Sequence, residues 1–290
     1  MSPVIAALRP RHWIKNTFVL PALLFSKHAT EWPYVQGSLG AFLSFCLLSS
    51  VVYLINDLCD RARDRLHPEK SKRPIASGEL AAASAVVTAV ALLAAGLVIA
   101  YSLNPRFAAI AGLYWLLNLA YSLWLKHIVL LDVIVVASGY LLRALGGAVA
   151  IAVEISTWFI LCSFMLALFL TVVKRRQEIV DLPDGGGEHR ASLDAYSLPF
   201  LDQVISVLTS ATLVCYALYA MGVGDGAESS RQMQWTIPFV LYGILRYLYV
   251  VYKMGAGANP TAVAWTDRPL QINLTLWLVA SALGLYGLPG

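Results

Sequence analysis

The chain has 290 residues, 59% of them hydrophobic and only 13% charged, with a mean hydropathy of +0.68. A water-soluble core of this length does not carry so much apolar surface, so lipid is expected to be the main solvent and no sizeable soluble domain is left over. The formal net charge of +4 is modest and gives no ground for nucleic acid as a partner.

The opening MSPVIAALRPRHWIKN has a weak apolar run and no small-residue cleavage site, so it does not read as a removable signal peptide and is expected to lie along the inner membrane surface. Apolar runs of about 20 residues, the length that crosses a bilayer, then recur to the end. They predict spans near Trp13–Phe25 (a short one), Gly37–Asp57, Ala82–Leu103, Phe107–Trp124, Val129–Val153, Thr157–Val173, Val204–Val223, Trp235–Tyr252 and Leu270–Leu288. The runs lack period-2 alternation, and open sheets cannot cross lipid with unpaired backbone groups. The expectation is one all-α, polytopic membrane domain over residues 1–290, with about nine transmembrane helices.

Sixteen lysines and arginines fall on one side of this topology, from Arg9, Arg11 and Lys15 to Lys253 and Arg268. Lys27, Arg106 and Arg231 fall on the other, while Arg143 and Arg246 lie within spans. The positive-inside rule makes the basic side cytoplasmic. Six of the tryptophans cluster near span ends as interfacial anchors. The four cysteines and five histidines lack metal-ligand spacing, Gly185-Gly186-Gly187 lacks the lysine of a P-loop, and small-residue stretches such as Gly146-Gly147-Ala148 read as close helix packing.

The first chemical signal is Asn56-Asp57-Leu58-Cys59-Asp60-Arg61-Ala62-Arg63-Asp64, at the predicted cytoplasmic end of the second span. On one continuous helix Asn56, Asp57, Asp60 and Asp64 would share a face. Stacked acids repel one another, and a hard cation such as Mg²⁺, shared with a substrate's phosphates, relieves that repulsion. The competing reading is a solvated helix end whose acids pair with Arg61, Arg63 and Arg65. The motif starts inside an apolar span, where an acid is expected to be functional, which favours the metal.

This NDxxDxxxD spacing resembles the UbiA superfamily of intramembrane prenyltransferases, and Lys72-Arg73-Pro74-Ile75 through Gly78 resembles the continuation of that motif. The resemblance implies a UbiA-like helical bundle and a Mg²⁺-dependent transferase, with Asp57, Asp60 and Asp64 catalytic and Asn56, Asp57, Asp60 and Asp64 on the metal. Aromatic prenyltransferases of the superfamily carry a second acidic motif after the sixth helix, whereas this chain reads Lys174-Arg175-Arg176-Gln177-Glu178 there. On a helix Lys174, Glu178 and Asp181 share a face, which suits a further anion better than a second carboxylate-bound metal.

That segment, with Arg9 to Asn16, Tyr121 to Lys126 leading to Asp132, and Ser138 to Gly147, is similar to the decaprenyl-phosphate phosphoribosyltransferase branch over nearly the whole chain. Ser192 to Tyr196 and Asp267 to Leu270 also fit it. The resemblance implies a phosphoribosyl diphosphate donor, a polyprenyl phosphate acceptor and a bacterial-type inner (cytoplasmic) membrane location with the site facing the cytoplasm. It implies substrate contacts from Lys15, Asn16, Arg73, Tyr121, Lys126, Asp132, Arg143, Lys174, Arg175 and Glu178. Arg143, eleven residues beyond Asp132 and on nearly the same helix face, is expected either to pair structurally with Asp132 or a neighbouring helix, or to meet substrate. The alternatives are an aromatic or quinone prenyltransferase and a transporter or lipid-binding protein. Oligomeric state stays open, a homo-oligomer included.

Overall fold

The computed structural model describes residues 2–181, 195–223, 232–255, 263–264 and 266–287, and all regular structure among them is helical. Among the described residues seven helices are long and apolar enough to cross a membrane: Trp32–Cys59, Ala82–Leu103, Leu131–Ala150, Thr157–Val180, Leu198–Ala220, Met233–Met254 and Arg268–Gly287. The protein is a multi-pass helical membrane protein. Its contacts divide the chain into two compact units, Met1–Leu123 with Leu142–Glu154, and Trp124–Leu141 with Ile155–Gly290.

The first unit holds α1 (Pro3–Leu8), a 3-10 segment (Pro10–Val19), α2 (Pro21–Phe25), α3 (Trp32–Cys59), α4 (Arg61–Asp64), α5 (Pro74–Ser77), α6 (Ala82–Leu103), α7 (Pro105–Leu123) and the end of α8 (Leu131–Ala150). Phe45, Leu48, Phe107 and Tyr114 are fully buried between α3, α6 and α7. In lipid such helices gain little from the hydrophobic effect, so small side chains and interhelical hydrogen bonds hold them together. Ser44 Oγ donates to the Gly96 carbonyl at 2.9 Å. A Cβ on Gly147 would sit 2.1 Å from the Val19 carbonyl oxygen, so only glycine allows the 3-10 segment to lie against α8 there.

The second unit holds the start of α8, then α9 (Thr157–Val180), α10 (Leu198–Ala220), α11 (Ile237–Met254) and α12 (Arg268–Ala282). Phe169, Val173, Leu201, Ile205, Tyr247 and Val251 form its core. Side-chain oxygens cap two of these helices: Ser197 accepts from the Phe200 N–H at 3.4 Å and Asp267 from the Leu270 N–H at 2.9 Å.

The span predicted at Trp13–Phe25 is corrected. The chain there is a ten-residue 3-10 segment and a five-residue helix, each too short to cross lipid. Pro21, with no N–H to donate, separates the two pieces. The run predicted at Phe107–Trp124 is the 19-residue helix α7, which carries Arg106 and Asn118 and is not one of the seven helices named above.

Candidate functional site

The acidic motif does not lie on one helix. α3 ends at Cys59, Asp60 caps it outside the helical region at φ −90° and ψ 4°, and α4 begins at Arg61. The expectation that all four oxygen-bearing side chains share a face is therefore corrected. Asp57 and Asp64, seven residues apart, are both 2% exposed and come together, while Asn56 and Asp60 stay half-exposed.

Two buried carboxylates persist only with partners. Arg73 Nη1 lies 3.2 Å from Asp57 Oδ1 and 2.7 Å from Asp64 Oδ2, and Arg9 Nη2 lies 2.5 Å from Asp57 Oδ1. Arg9 reaches Asp57 from the left-handed turn (φ 53°) that joins α1 to the 3-10 segment. Arg73 sits at the N-cap of α5, where Pro74 starts the helix. The pairing expected with Arg61, Arg63 and Arg65 is made instead by Arg9 and Arg73, and Arg65 donates to the Ala76 carbonyl at 3.0 Å.

Two carboxylate oxygens thus converge on one cationic nitrogen. This suits Mg²⁺, which is commonly held by one or two carboxylates together with substrate phosphates. Among the described residues no three His, Cys, Asp or Glu side chains form a ready-made metal-binding group; Asp57 and Asp64 are the pair drawn together.

The first unit also buries Arg143 at 8% exposure. Its Nε donates to Asn16 Oδ1 at 2.7 Å, its Nη2 to the Tyr114 hydroxyl at 2.6 Å, and its guanidinium stacks 4.6 Å from the Tyr114 ring centre. Asn16 in turn donates to Ser49 Oγ at 3.2 Å. A charged group that cannot face lipid cheaply is thereby fixed by polar atoms of the 3-10 segment and α7.

In the second unit Asp132 is fully buried at the start of α8. Its Oδ2 lies 3.1 Å from Arg175 Nε and its Oδ1 accepts from the Tyr196 hydroxyl at 2.6 Å. Arg175 also pairs with Glu178, and Lys174 Nζ lies 3.7 Å from Glu178 Oε1. The Tyr196 hydroxyl accepts from the Leu130 N–H at 2.7 Å. Burial, then the bond to Asp132, pushes this phenol up to about 12. Gln177, buried beside this group, donates to Asp181 Oδ1 at 2.8 Å.

Lys15, Tyr121 and Lys126 are half-buried and Lys174 is exposed. Arg190, Gly185 to Gly187 and Ser192 to Asp194 lie outside the described residues. The sequence does not mark Arg9, Tyr114, Tyr196 or Gln177 individually as site residues. Arg9 falls within the Arg9 to Asn16 segment and Tyr196 closes the Ser192 to Tyr196 segment, whereas Tyr114 lies in an apolar run with no pattern to mark it.

Residues 17–266 match the UbiA prenyltransferase family. A decaprenyl-phosphate phosphoribosyltransferase of Mycolicibacterium smegmatis is 36% identical over 99% of this chain and 93% of its own. One of Corynebacterium glutamicum is 34% identical, over 99% and 87%. The solved structure of a UbiA homolog from Archaeoglobus fulgidus bound to DMAPP and Mg²⁺ is 20% identical, superposes with a TM-score of 0.72 and covers 99% of this chain and 100% of its own. The helical architecture, the Asp57 to Asp64 motif and these full-length similarities agree: the chain belongs to the UbiA prenyltransferase family.

Proposed function

We propose that the protein transfers the 5-phosphoribosyl group of phosphoribosyl diphosphate to a polyprenyl phosphate of decaprenyl type, releasing pyrophosphate, at the cytoplasmic face of a bacterial-type inner membrane. The product would be a lipid-linked ribose for cell-wall arabinan synthesis, and the whole chain acts as one transferase domain. The observation that carries this reading is the end of α9, where Lys174 and Arg175 stand in place of a second acidic motif and Arg175 is held by Asp132 and Glu178. Similarity to phosphoribosyltransferases over 99% of the chain supports it.

Three anionic groups have to be held: the donor's diphosphate, its 5-phosphate and the acceptor's phosphate. On this reading Asp57 and Asp64, with Asn56 and Asp60 nearby, take Mg²⁺ and the diphosphate. Bound there, the metal neutralises charge that builds on the leaving pyrophosphate. Lys15, Arg73, Lys126, Lys174 and Arg175 are assigned to the two phosphates, with Asn16, Tyr121, Asp132, Arg143 and Glu178 completing the substrate contacts.

The anomeric C–O bond to the diphosphate breaks and its electron pair leaves with pyrophosphate. A C–O bond to a lipid phosphate oxygen forms on the opposite face, which inverts the anomeric centre. The acceptor phosphate is ionised near neutral pH, so no protein base is required.

The test uses purified protein in nanodiscs with polyprenyl phosphate and radiolabelled phosphoribosyl diphosphate, following label into the organic phase. The expected result is transfer that stops on chelation, returns with Mg²⁺ and is lost in Asp60→Ala. Absence of transfer by folded protein overturns the proposal.

A further inference from the structure

The outer surface of the second unit carries a groove of about 560 Å³ between α10 and α11 that the proposed chemistry does not use. Its walls include Ile205, Ser206 and Ser210 from α10 and Leu245, Leu248 and Tyr252 from α11. The volume falls within the ~300–1,000 Å³ typical of small-molecule sites.

One end of the groove is polar. The Tyr252 hydroxyl donates to Asp202 Oδ1 at 2.6 Å, which sets the start of α10 beside the end of α11. Arg176 from α9 pairs with the same oxygen at 2.5 Å and stacks 4.2 Å from the Tyr252 ring centre. Asp202 thus compensates the charge of Arg176. Lys253 follows directly, exposed, with no hydrogen bond or ion pair among the described residues. It stands four residues after Tyr249, which also lines the groove, so it shares that helix face at the groove's polar end.

Along α11 the groove is lined from Leu245 to Tyr252, seven residues or ~10 Å at the helical rise. That is about two thirds of the depth of one leaflet, half of a ~30 Å hydrocarbon core. A groove that runs from an interfacial tyrosine, with an exposed cation on the next residue, most of the way through one leaflet fits the upper part of an acyl chain lying under an anionic head group.

We propose that this groove binds an anionic glycerophospholipid, with an acyl chain against Ile205, Leu245 and Leu248 and its phosphate on Lys253. The hydroxyls of Ser206 and Ser210 donate to the carbonyls four residues before them, at 2.9 and 3.1 Å, whereas Thr209 Oγ1 on the same wall is buried with no hydrogen-bond partner among the described residues.

The experiment is native mass spectrometry of the purified protein released from micelles holding equal amounts of phosphatidylglycerol and phosphatidylcholine. The wild type is expected to retain phosphatidylglycerol in preference. Lys253→Gln is expected to cut that retention about fivefold, the effect of one interfacial cation, without changing phosphatidylcholine. Ser206→Trp, which fills the groove, is expected to cut retention of both. Circular dichroism melts confirm that each variant is folded. Equal retention of the two lipids, retention unchanged by both substitutions, or a polyprenyl phosphate as the only retained lipid overturns the proposal.

Discussion

Asp57 and Asp64 show how two buried acids survive at a helix end in a membrane protein: Arg73 bridges them and Arg9 adds a second positive charge. If these carboxylates hold the metal, Asp57→Asn and Asp64→Asn should each lower label transfer more than ~100-fold, since even outer-shell partners of metal ligands are worth 10–100-fold. Asp202→Asn, at a carboxylate that bonds Arg176 and Tyr252, should lower it less than ~3-fold. Equal losses at all three positions would mean that the acids act through stability alone. Tyr196→Phe leaves buried Asp132 one donor short, a loss of order 1–3 kcal/mol. A roughly tenfold fall in kcat/KM for phosphoribosyl diphosphate, measured well below the lowered melting temperature of the variant, would mark Tyr196 as positioning Arg175. The acidic motif was legible because clustered carboxylates inside an apolar run need an explanation. The roles of Arg9 and Tyr196 were not, because each meets its acid across 48 and 64 residues of sequence through a turn or loop that no spacing rule encodes.

At the scale of the helices, hydropathy placed Ala82–Leu103 to the residue, but it stopped seven residues short of the end of Thr157–Val180 and began six residues late on Leu198–Ala220, where charged or polar residues extend the helix past its apolar run. It failed where length and proline act together, at Trp13–Phe25, and it treated Asn56 to Asp64 as one helix because periodicity does not register the cap at Asp60. The close approach of Val19 to α8 gives a sharp prediction. Gly147→Ala should destabilise the detergent-solubilised protein by about 1–3 kcal/mol, as overpacking against backbone does. Gly112→Ala on α7, where an added Cβ meets nothing within 4 Å, should be neutral or stabilising by up to ~1 kcal/mol. Thermal melts would check both. A second prediction concerns Asp267, whose carboxyl is held below the ordinary carboxylate range by its hydrogen bond to Arg246 and by the Leu270 N–H. A lowered folded value favours the ionised form. Its stabilisation is therefore fully present above the unfolded value of ~3.9 and is lost as pH falls through the folded one. The melting temperature of Asp267→Asn, which keeps an N-cap but loses the ion pair, should accordingly fall less steeply below about pH 4 than that of the wild type.

Taken as a whole, the chain sorts its polar chemistry into clusters within each of its two compact units. The first holds the paired acids with their arginines and the Arg143 network, and the second holds Asp132, Arg175, Glu178 and Tyr196. Composition already required a helical membrane protein, and the family followed from the motifs. The choice among transferases rests on charge, since bases at the end of α9 favour a donor and acceptor that bring extra phosphates. That choice is tested most directly by offering the same preparation two substrate pairs with Mg²⁺: phosphoribosyl diphosphate with polyprenyl phosphate, and a prenyl diphosphate with an aromatic acid. The account predicts pyrophosphate release and a lipid-linked phosphoribose with the first pair and at most background turnover with the second. Prenylation of the aromatic acid without phosphoribosyl transfer would contradict it.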